Sequence, residues 1–251
     1  MWQLGKSRKF GKNTEGVISL LFFDSKHQIA LLLALLFQKK INLDKRKMEI
    51  RPAEYDIKDV YKLVTAAVTP RPIGWISSIN AKGERNLAPF SFFNVVGYDP
   101  PHVIFSPINP NGKKKDTTAN VLETGEFVVN MVTEDLAEQM NKTSAQLPPD
   151  VDEFAFAGLT PQDSILVKPP RVKESLIQFE CKLVHHYSFV DKQNGSTILI
   201  GQIVMIHVAD EILLPDFKID TDLYKTIGKM EGGLYCKTSD QFFLDRNIPI
   251  K

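Results

Sequence analysis

The sequence predicts a mainly β (α+β) fold: a closed or partly closed antiparallel barrel with short peripheral helices. Three observations carry that expectation. The second half holds a long hairpin: a strand at 175–190 that alternates over Leu176–Leu183, a turn at 191–195, and a returning strand at 196–208 (STILIGQIVMIHV). Shorter β-branched and apolar runs precede it. The helical patterns are all short, and regular strand–helix–strand alternation is absent, which argues against a doubly wound sheet. No GxGxxG follows a strand.

Taken in order, Asp59–Val68 (DVYKLVTAAV) has the apolar spacing of a helix and stops before Pro70. Ile73–Ile79 reads as a strand, with Asn80–Gly83 as its turn. Val103–Ser106 is a short buried strand after Pro100-Pro101. Thr117–Thr124 reads as a short helix that Asp116 is suited to cap and Gly125 to end. Glu126–Val132 (EFVVNMV) is a strand and Glu134–Lys142 a helix. Val151–Leu159 is expected to form a loop over the core. The tail from Pro215 is polar and turn-rich, with Gly232-Gly233 inside it. There is no internal repeat and no low-complexity tract.

At 251 residues the chain suits one large domain or two small ones, with 43% apolar and 24% charged residues, ordinary for a soluble globular protein. Such a length buries a core without disulfide or metal staples. The net charge of +1 conceals a division: residues 1–47 hold ten Lys and Arg against three Asp and Glu, whereas 48–251 hold 21 against 27. An acidic body argues against a nucleic-acid-binding domain. Within the basic segment, Asp24, Lys26 and His27 interrupt the apolar run, and Ile29–Phe37 is too short to span a bilayer. It lacks a small-residue cleavage site. An amphipathic surface helix or a targeting segment is one reading. The preferred one makes Met48 the natural start, 1–47 a non-conforming N-terminal extension outside the fold, and 48–251 the folded domain. A native peptide from residues 13–26 would overturn it.

Cys181 and Cys236 show no CxxC spacing, so a disulfide framework or zinc site has no support, and both are expected to be buried thiols. With no credible signal, the expected location is cytoplasmic, without a membrane or nucleic-acid partner. Asn141-Lys-Thr143 and Asn194-Gly-Ser196 match the glycosylation pattern by chance. The five histidines form no HExxH motif, so no metal ligand and no catalytic acid or base is assigned. His207 closes an apolar strand and is expected to be structural; His185 and His186 straddle two faces of one strand.

The chemistry gathers in Thr69–Asn120. In the run Asn86–Asn94 (NLAPFSFFN), a kink at Pro89 is expected to present Ser91 and the following amides to the polar edges of a flat ring. Phe90, Phe92 and Phe93 are either its apolar bed or core. Lys115-Asp116-Thr117 opens a helix whose free amides, lysine charge and hydroxyl favour a phosphate; a plain capped helix is the alternative. Thr69-Pro-Arg-Pro-Ile-Gly74 holds Arg71 extended, either as a rigid guanidinium for an anion or as a surface residue. Ser77 and Ser78 alternate faces, so only one can reach a ligand. The stretch suits a large, flat, phosphorylated ligand.

In this order, PRPIGWISS, NLAPFSFFN, PPHVIFS, KDTTAN and TGEFVVN resemble the flavin reductase-like family with the FMN-binding split-barrel fold, over about Arg51 to Tyr235. The resemblance implies an antiparallel split β-barrel with Greek-key connections, and a homodimer with FMN near the subunit interface. It places the flavin ring by Ala88, Pro89, Phe90, Ser91 and Phe92. The phosphate falls by Lys115, Asp116 and Thr117 and a hydroxyl of Ser77 or Ser78, with Arg71 in support. Leu234-Tyr235 after Gly232-Gly233 resembles a C-terminal feature in which Lys229 or Met230 stands where the family usually has Arg. The implied function is an FMN-dependent oxidoreductase of the flavin reductase type, moving hydride from NAD(P)H to flavin. The alternative is an FMN-binding carrier or redox partner without reductase turnover; a third reading is a structural barrel without flavin. Missing acids are no objection to a flavin enzyme, because the cofactor carries the hydride chemistry.

Overall fold

A computed structural model describes residues 48–148, 151–189 and 194–245. The extension at 1–47 and the centre of the 191–195 turn lie outside the described residues. Met1–Tyr55 and Asp56–Lys251 separate as two units. In the first, Pro52–Glu54 form one 3-10 turn.

The second unit opens with helix α1 (Ile57–Ala67), capped by the Asp56 carboxylate, which accepts from Lys58 N. Strands β1 (Gly74–Ile79), β2 (Arg85–Phe90), β3 (Phe93–Tyr98), β4 (Pro101–Phe105) and β5 (Ile108–Pro110) follow. Then come α2 (Asp116–Thr124), β6 (Glu126–Met131), α3 (Ala137–Lys142), α4 (Glu153–Ala157), β7 (Pro161–Gln162) and β8 (Arg171–Val172). The long hairpin is β9 (Ile177–Phe189) and β10 (Asn194–Val208). Short pairs β11 (Leu213–Leu214) with β12 (Lys218–Ile219), and β13 (Ile227–Lys229) with β14 (Tyr235–Lys237), end the unit.

The main sheet runs β2-β1-β6-β9-β10-β4-β3, with β5 also on β10, and its pairings are antiparallel. β2 and β3 stand at opposite ends of that order, yet only Ser91 and Phe92 separate them. Three peptide units reach about 10 Å, so the sheet must curl until its two ends meet. The result is a barrel split at the β2–β3 seam. The long connection from β5 through α2 to β6 moves the chain from beside β10 to the slot between β1 and β9, a Greek-key crossing.

Both faces of β1 are covered, so it is buried along its length, Ser77 and Ser78 included, instead of alternating with exposed positions. Neighbours still divide by face, as the two-residue period requires. Trp75 joins an outer cluster with Leu87, Leu136, Met140, Phe154 and Val172 under α3 and α4. Ile76 joins the barrel interior with Phe105, Phe127, Val129, Cys181 and Leu199. Trp75 meets its one polar need by donating from Nε1 to Thr143 Oγ1 at 2.9 Å.

Behind β1 the connection 163–172 is held by a buried carboxylate. Glu180 accepts the amides of Ile165 (2.7 Å), Leu166 (2.6 Å) and Val167 (3.2 Å) and bonds His207 Nε2 at 2.7 Å. Burial alone would push its carboxyl up, but those amides and His207 hold it below the usual carboxylate range. Asn130 spans the same gap, donating to Trp75 O and accepting from Val172 N.

Several expectations need correction. Residues 153–157 form α4 instead of a loop, because Asp152 caps it through Phe154 N and Gly158 ends it; five residues are too few to display a helical period. Helix α2 begins one residue early: Lys115 occupies the cap position, with no side-chain cap bond, and Asp116 lies in the first turn. Gly125 ends that helix as expected, in the left-handed region at φ 72°. The run 85–98 forms two strands where only a kinked segment was expected.

Candidate functional site

β2 organises the site because, among the described residues, it pairs with β1 on one side only. Phe90, Ala88 and Asn86 share its barrel-facing parity, while Leu87 faces the outer cluster. The Leu87 amide points away from β1 and donates to Glu153 Oε2 at 3.2 Å. Pro89, two residues on, therefore sits where its missing N–H would face the open edge, the position a strand tolerates for proline.

On the outer face, Pro89 and Ser91 border a cleft of about 320 Å³ closed by Asn141, Ser144, Lys229 and Tyr235. Arg71 lies behind Ser91. Its Nε donates to Ser91 Oγ at 3.3 Å, and its guanidinium also donates to Val68 O (2.7 Å), Met230 O (2.9 Å) and Thr65 O. Only 7% exposed, Arg71 is thus committed to carbonyls and Ser91, and is not available as a surface anion receptor. The β13–β14 hairpin is tied to it by reciprocal backbone bonds between Arg71 and Lys229. Lys229 Nζ sits 4.2 Å from the Tyr235 ring centroid and donates to Gly232 O and Leu234 O. Burial, then the Arg71 charge, holds its ammonium below the usual lysine range.

At the other end of β2, about 10 Å away along the strand, a polar cluster sits under the start of α2. Asn86 Nδ2 donates to Thr117 Oγ1 (2.8 Å) and Ser78 Oγ (3.3 Å), and Asn120 Nδ2 donates to Ser78 Oγ (3.3 Å). Ser78 and Thr117 therefore act as acceptors here, and their own hydroxyl protons remain to donate. Thr118 Oγ1, fully buried in the same turn, has no hydrogen-bond partner among the described residues. The first amide of α2 with a backbone acceptor is Ala119, leaving three helix-start donors for an anion. A hollow of about 80 Å³ opens here between Asn86, Asp116 and Asn120. Lys115 is exposed beside it. The helix-start amides and Lys115 favour an anion such as a phosphate; the hollow is also lined by Arg85 and by three carboxylates, Glu84, Asp116 and Glu153, which oppose it, and the Ser78 and Thr117 hydroxyls lie buried beneath it.

The structure therefore groups Pro89, Ser91 and Arg71 with Lys229 and Tyr235, and separately Ser78, Lys115 and Thr117 with Asn86 and Asn120. The two groups hang from opposite ends and faces of β2 and border separate hollows. Ala88 is partly exposed and packs on the barrel interior. Phe90 belongs to the core, its ring centroid 5.4 Å from that of Phe105, while Phe92 is half-buried at the seam. Ser77 faces away, donating to Pro170 O and accepting from Asn130. Asn86 and Asn120 were not singled out from sequence. Their signal was slight: polar residues at positions the strand and helix periods assign to the barrel side. Among the described residues, no three His, Cys, Asp or Glu are placed to hold a metal ion. Nor is any described helix long and apolar enough to cross a membrane.

The split-barrel topology is matched by a family comparison, and the chain belongs to the flavin reductase-like family: the Flavin reductase like domain matches residues 66–221. It is 44% identical over 191 residues to an uncharacterized protein of Aquifex aeolicus, covering 76% of this chain and 95% of that one. Among solved structures it is similar to nitrilotriacetate monooxygenase component B from Bacillus cereus, at 36% identity and TM-score 0.77, over 80% of this chain and 100% of that one. It also resembles Pseudomonas fluorescens 2-nitrobenzoate 2-nitroreductase, at 30% identity and TM-score 0.72, over 81% of this chain and 99% of that one. The protein is an enzyme of the flavin reductase type.

Proposed function

We propose that the protein is an FMN-dependent oxidoreductase that accepts hydride from NAD(P)H and passes reduced flavin or its electrons onward. The observation that carries this reading is the division of labour along β2. One end offers a cleft with an oriented hydroxyl at Ser91; the other offers unspent donors at Ser78, Thr117 and Thr118 under the start of α2. A ligand joining them must cross the unpaired edge of β2, where Pro89 removes one backbone donor. FMN joins a ring to a phosphate through a flexible chain and suits that path. Bound FMN would supply hydride acceptance and electron release.

The chain's own residues bind and orient. Lys115, Thr117, Ser78 and the α2 amides hold the phosphate, assisted by the helix dipole. Pro89 and Ser91 border the ring, and Lys229, fixed by Tyr235 and two carbonyls, supplies a positive wall to the cleft. The likeness to a monooxygenase component B supports transfer of reduced flavin to a partner. A homodimer, with the open β2 edge toward the second copy, and a cytoplasmic location belong to the same reading, with 48–251 as the flavin-binding domain.

The test is oxidation of NADH and NADPH by purified protein with FMN. A rate no higher than that of free FMN, with flavin retained on gel filtration, would leave an FMN carrier instead. A protein that retains no flavin after reconstitution defeats both readings.

A further inference from the structure

We propose that Arg71 is a positioning residue that fixes the hydroxyl of Ser91 as a hydrogen-bond donor into the cleft. The guanidinium is 7% exposed, and its Nε donates to Ser91 Oγ at 3.3 Å. A guanidinium has no acceptor, so at this bond the serine oxygen can only accept. The hydroxyl proton is turned away from Arg71, and no carbonyl or carboxylate among the described residues receives it. Ser91 itself is half-buried on the cleft wall.

Arg71 cannot rotate away from this task. Its other nitrogens are occupied by Thr65 O, Val68 O at 2.7 Å and Met230 O at 2.9 Å. Those carbonyls come from the end of α1 and from the β13–β14 hairpin, whose Lys229 and Tyr235 form the opposite wall. One guanidinium therefore sets both the polarity of Ser91 and the position of the facing wall. A hydroxyl polarised by a cation behind it donates more strongly as its acceptor gains electron density. The matching ligand presents a carbonyl oxygen or ring nitrogen that becomes more negative on reduction. This inference rests on the FMN reading and adds to it how the chain favours the reduced ring.

The test compares Ser91→Ala, Arg71→Lys and the double variant with the unaltered protein, each loaded with FMN. Absorption spectrum, FMN affinity and midpoint potential are measured. Ser91→Ala is expected to weaken reduced-state binding about tenfold more than oxidised-state binding, lowering the potential by about 30 mV. Arg71→Lys should move the spectrum and potential in the same direction, and the double variant should not exceed Ser91→Ala. Arg71→Lys that lowers the melting temperature while leaving spectrum and potential unchanged makes Arg71 a structural tie and overturns the proposal. So does additivity in the double variant. If Arg71→Lys does not fold, Ser91→Ala decides alone, and an unchanged potential sinks it. Failure of the unaltered protein to bind FMN is seen before any variant is made and removes the functional reading itself, and this inference with it.

Discussion

Glu180→Gln is the substitution whose cost follows most directly from the geometry. The carboxylate is fully buried, and its two oxygens divide four partners: Ile165 N and His207 on Oε1, Leu166 N and Val167 N on Oε2. A glutamine amide replaces one acceptor oxygen with a donor. Turned toward Oε1, its NH2 can be met by a neutral His207 nitrogen, but the Ile165 amide loses its acceptor. Turned the other way, two amides lose theirs. The cheaper arrangement leaves one buried donor unmet and removes charge assistance from the rest, about 2–4 kcal/mol together. With a urea slope of about 2 kcal/mol per M, the midpoint at pH 7 falls by about 1–2 M at unchanged slope. Because the folded pKa is depressed, the carboxyl's contribution is fully present above the unfolded value, about 4.3, and is lost as pH falls through the folded value. Acid titration of stability should therefore show a loss in the unaltered protein that Glu180→Gln lacks. A variant within 0.5 kcal/mol of the unaltered protein at pH 7, or one with the same acid slope, refutes the reasoning.

Three further outcomes follow from the same structure. Lys115→Ala should weaken FMN about three- to tenfold and leave riboflavin, which lacks the phosphate, unchanged in a fluorescence titration; equal losses for both would remove Lys115 from the phosphate site. Gly201→Ala should lower stability by about 1–3 kcal/mol, because a Cβ there overlaps the Phe127 ring in the barrel interior; calorimetry reads this as a lower melting temperature. Of the two free thiols, both expected to be buried, only Cys181 is; Cys236 is half-buried and should react with a disulfide reagent in the native protein. Cys181, fully buried and with its thiol pushed well up by burial, should react only after unfolding.

The long hairpin was legible because apolar and polar residues alternate along its first strand at 176–183, and the returning strand alternates in burial over 196–203; His207, read as structural, pairs with buried Glu180. The seam was not. Pro89 looked like a kink because proline interrupts interior strands, but β2 has an open edge and loses no ladder bond there. The order of the motifs located both candidate regions. It did not reveal that Ser77 is consumed by Pro170 or that Arg71 is buried, since both depend on partners 93 and 159 residues away. Asn86 and Asn120 were passed over for a similar reason: their role is to hold two hydroxyls as acceptors, visible only once β1, β2 and α2 meet.

The placement of the candidate site at the seam has a physical cause. Along β1, β6, β9 and β4, both strand edges are spent on neighbouring strands, so a ligand there finds side chains alone. At the β2–β3 seam the sheet order ends, and a link of two residues joins the ends without pairing them. Backbone polar groups must there find another partner, as Leu87 N does in Glu153 and Ser106 N does in Phe92 O at 2.8 Å. Pro89 lowers that demand by having no N–H. Arg71 supplies the rest, tying the seam residue Ser91 to the C-terminal hairpin, so the split stays open yet ordered. An open edge held in place by a buried cation is what a flat ligand with polar edges needs: a slot already shaped, with donors that folding has not used.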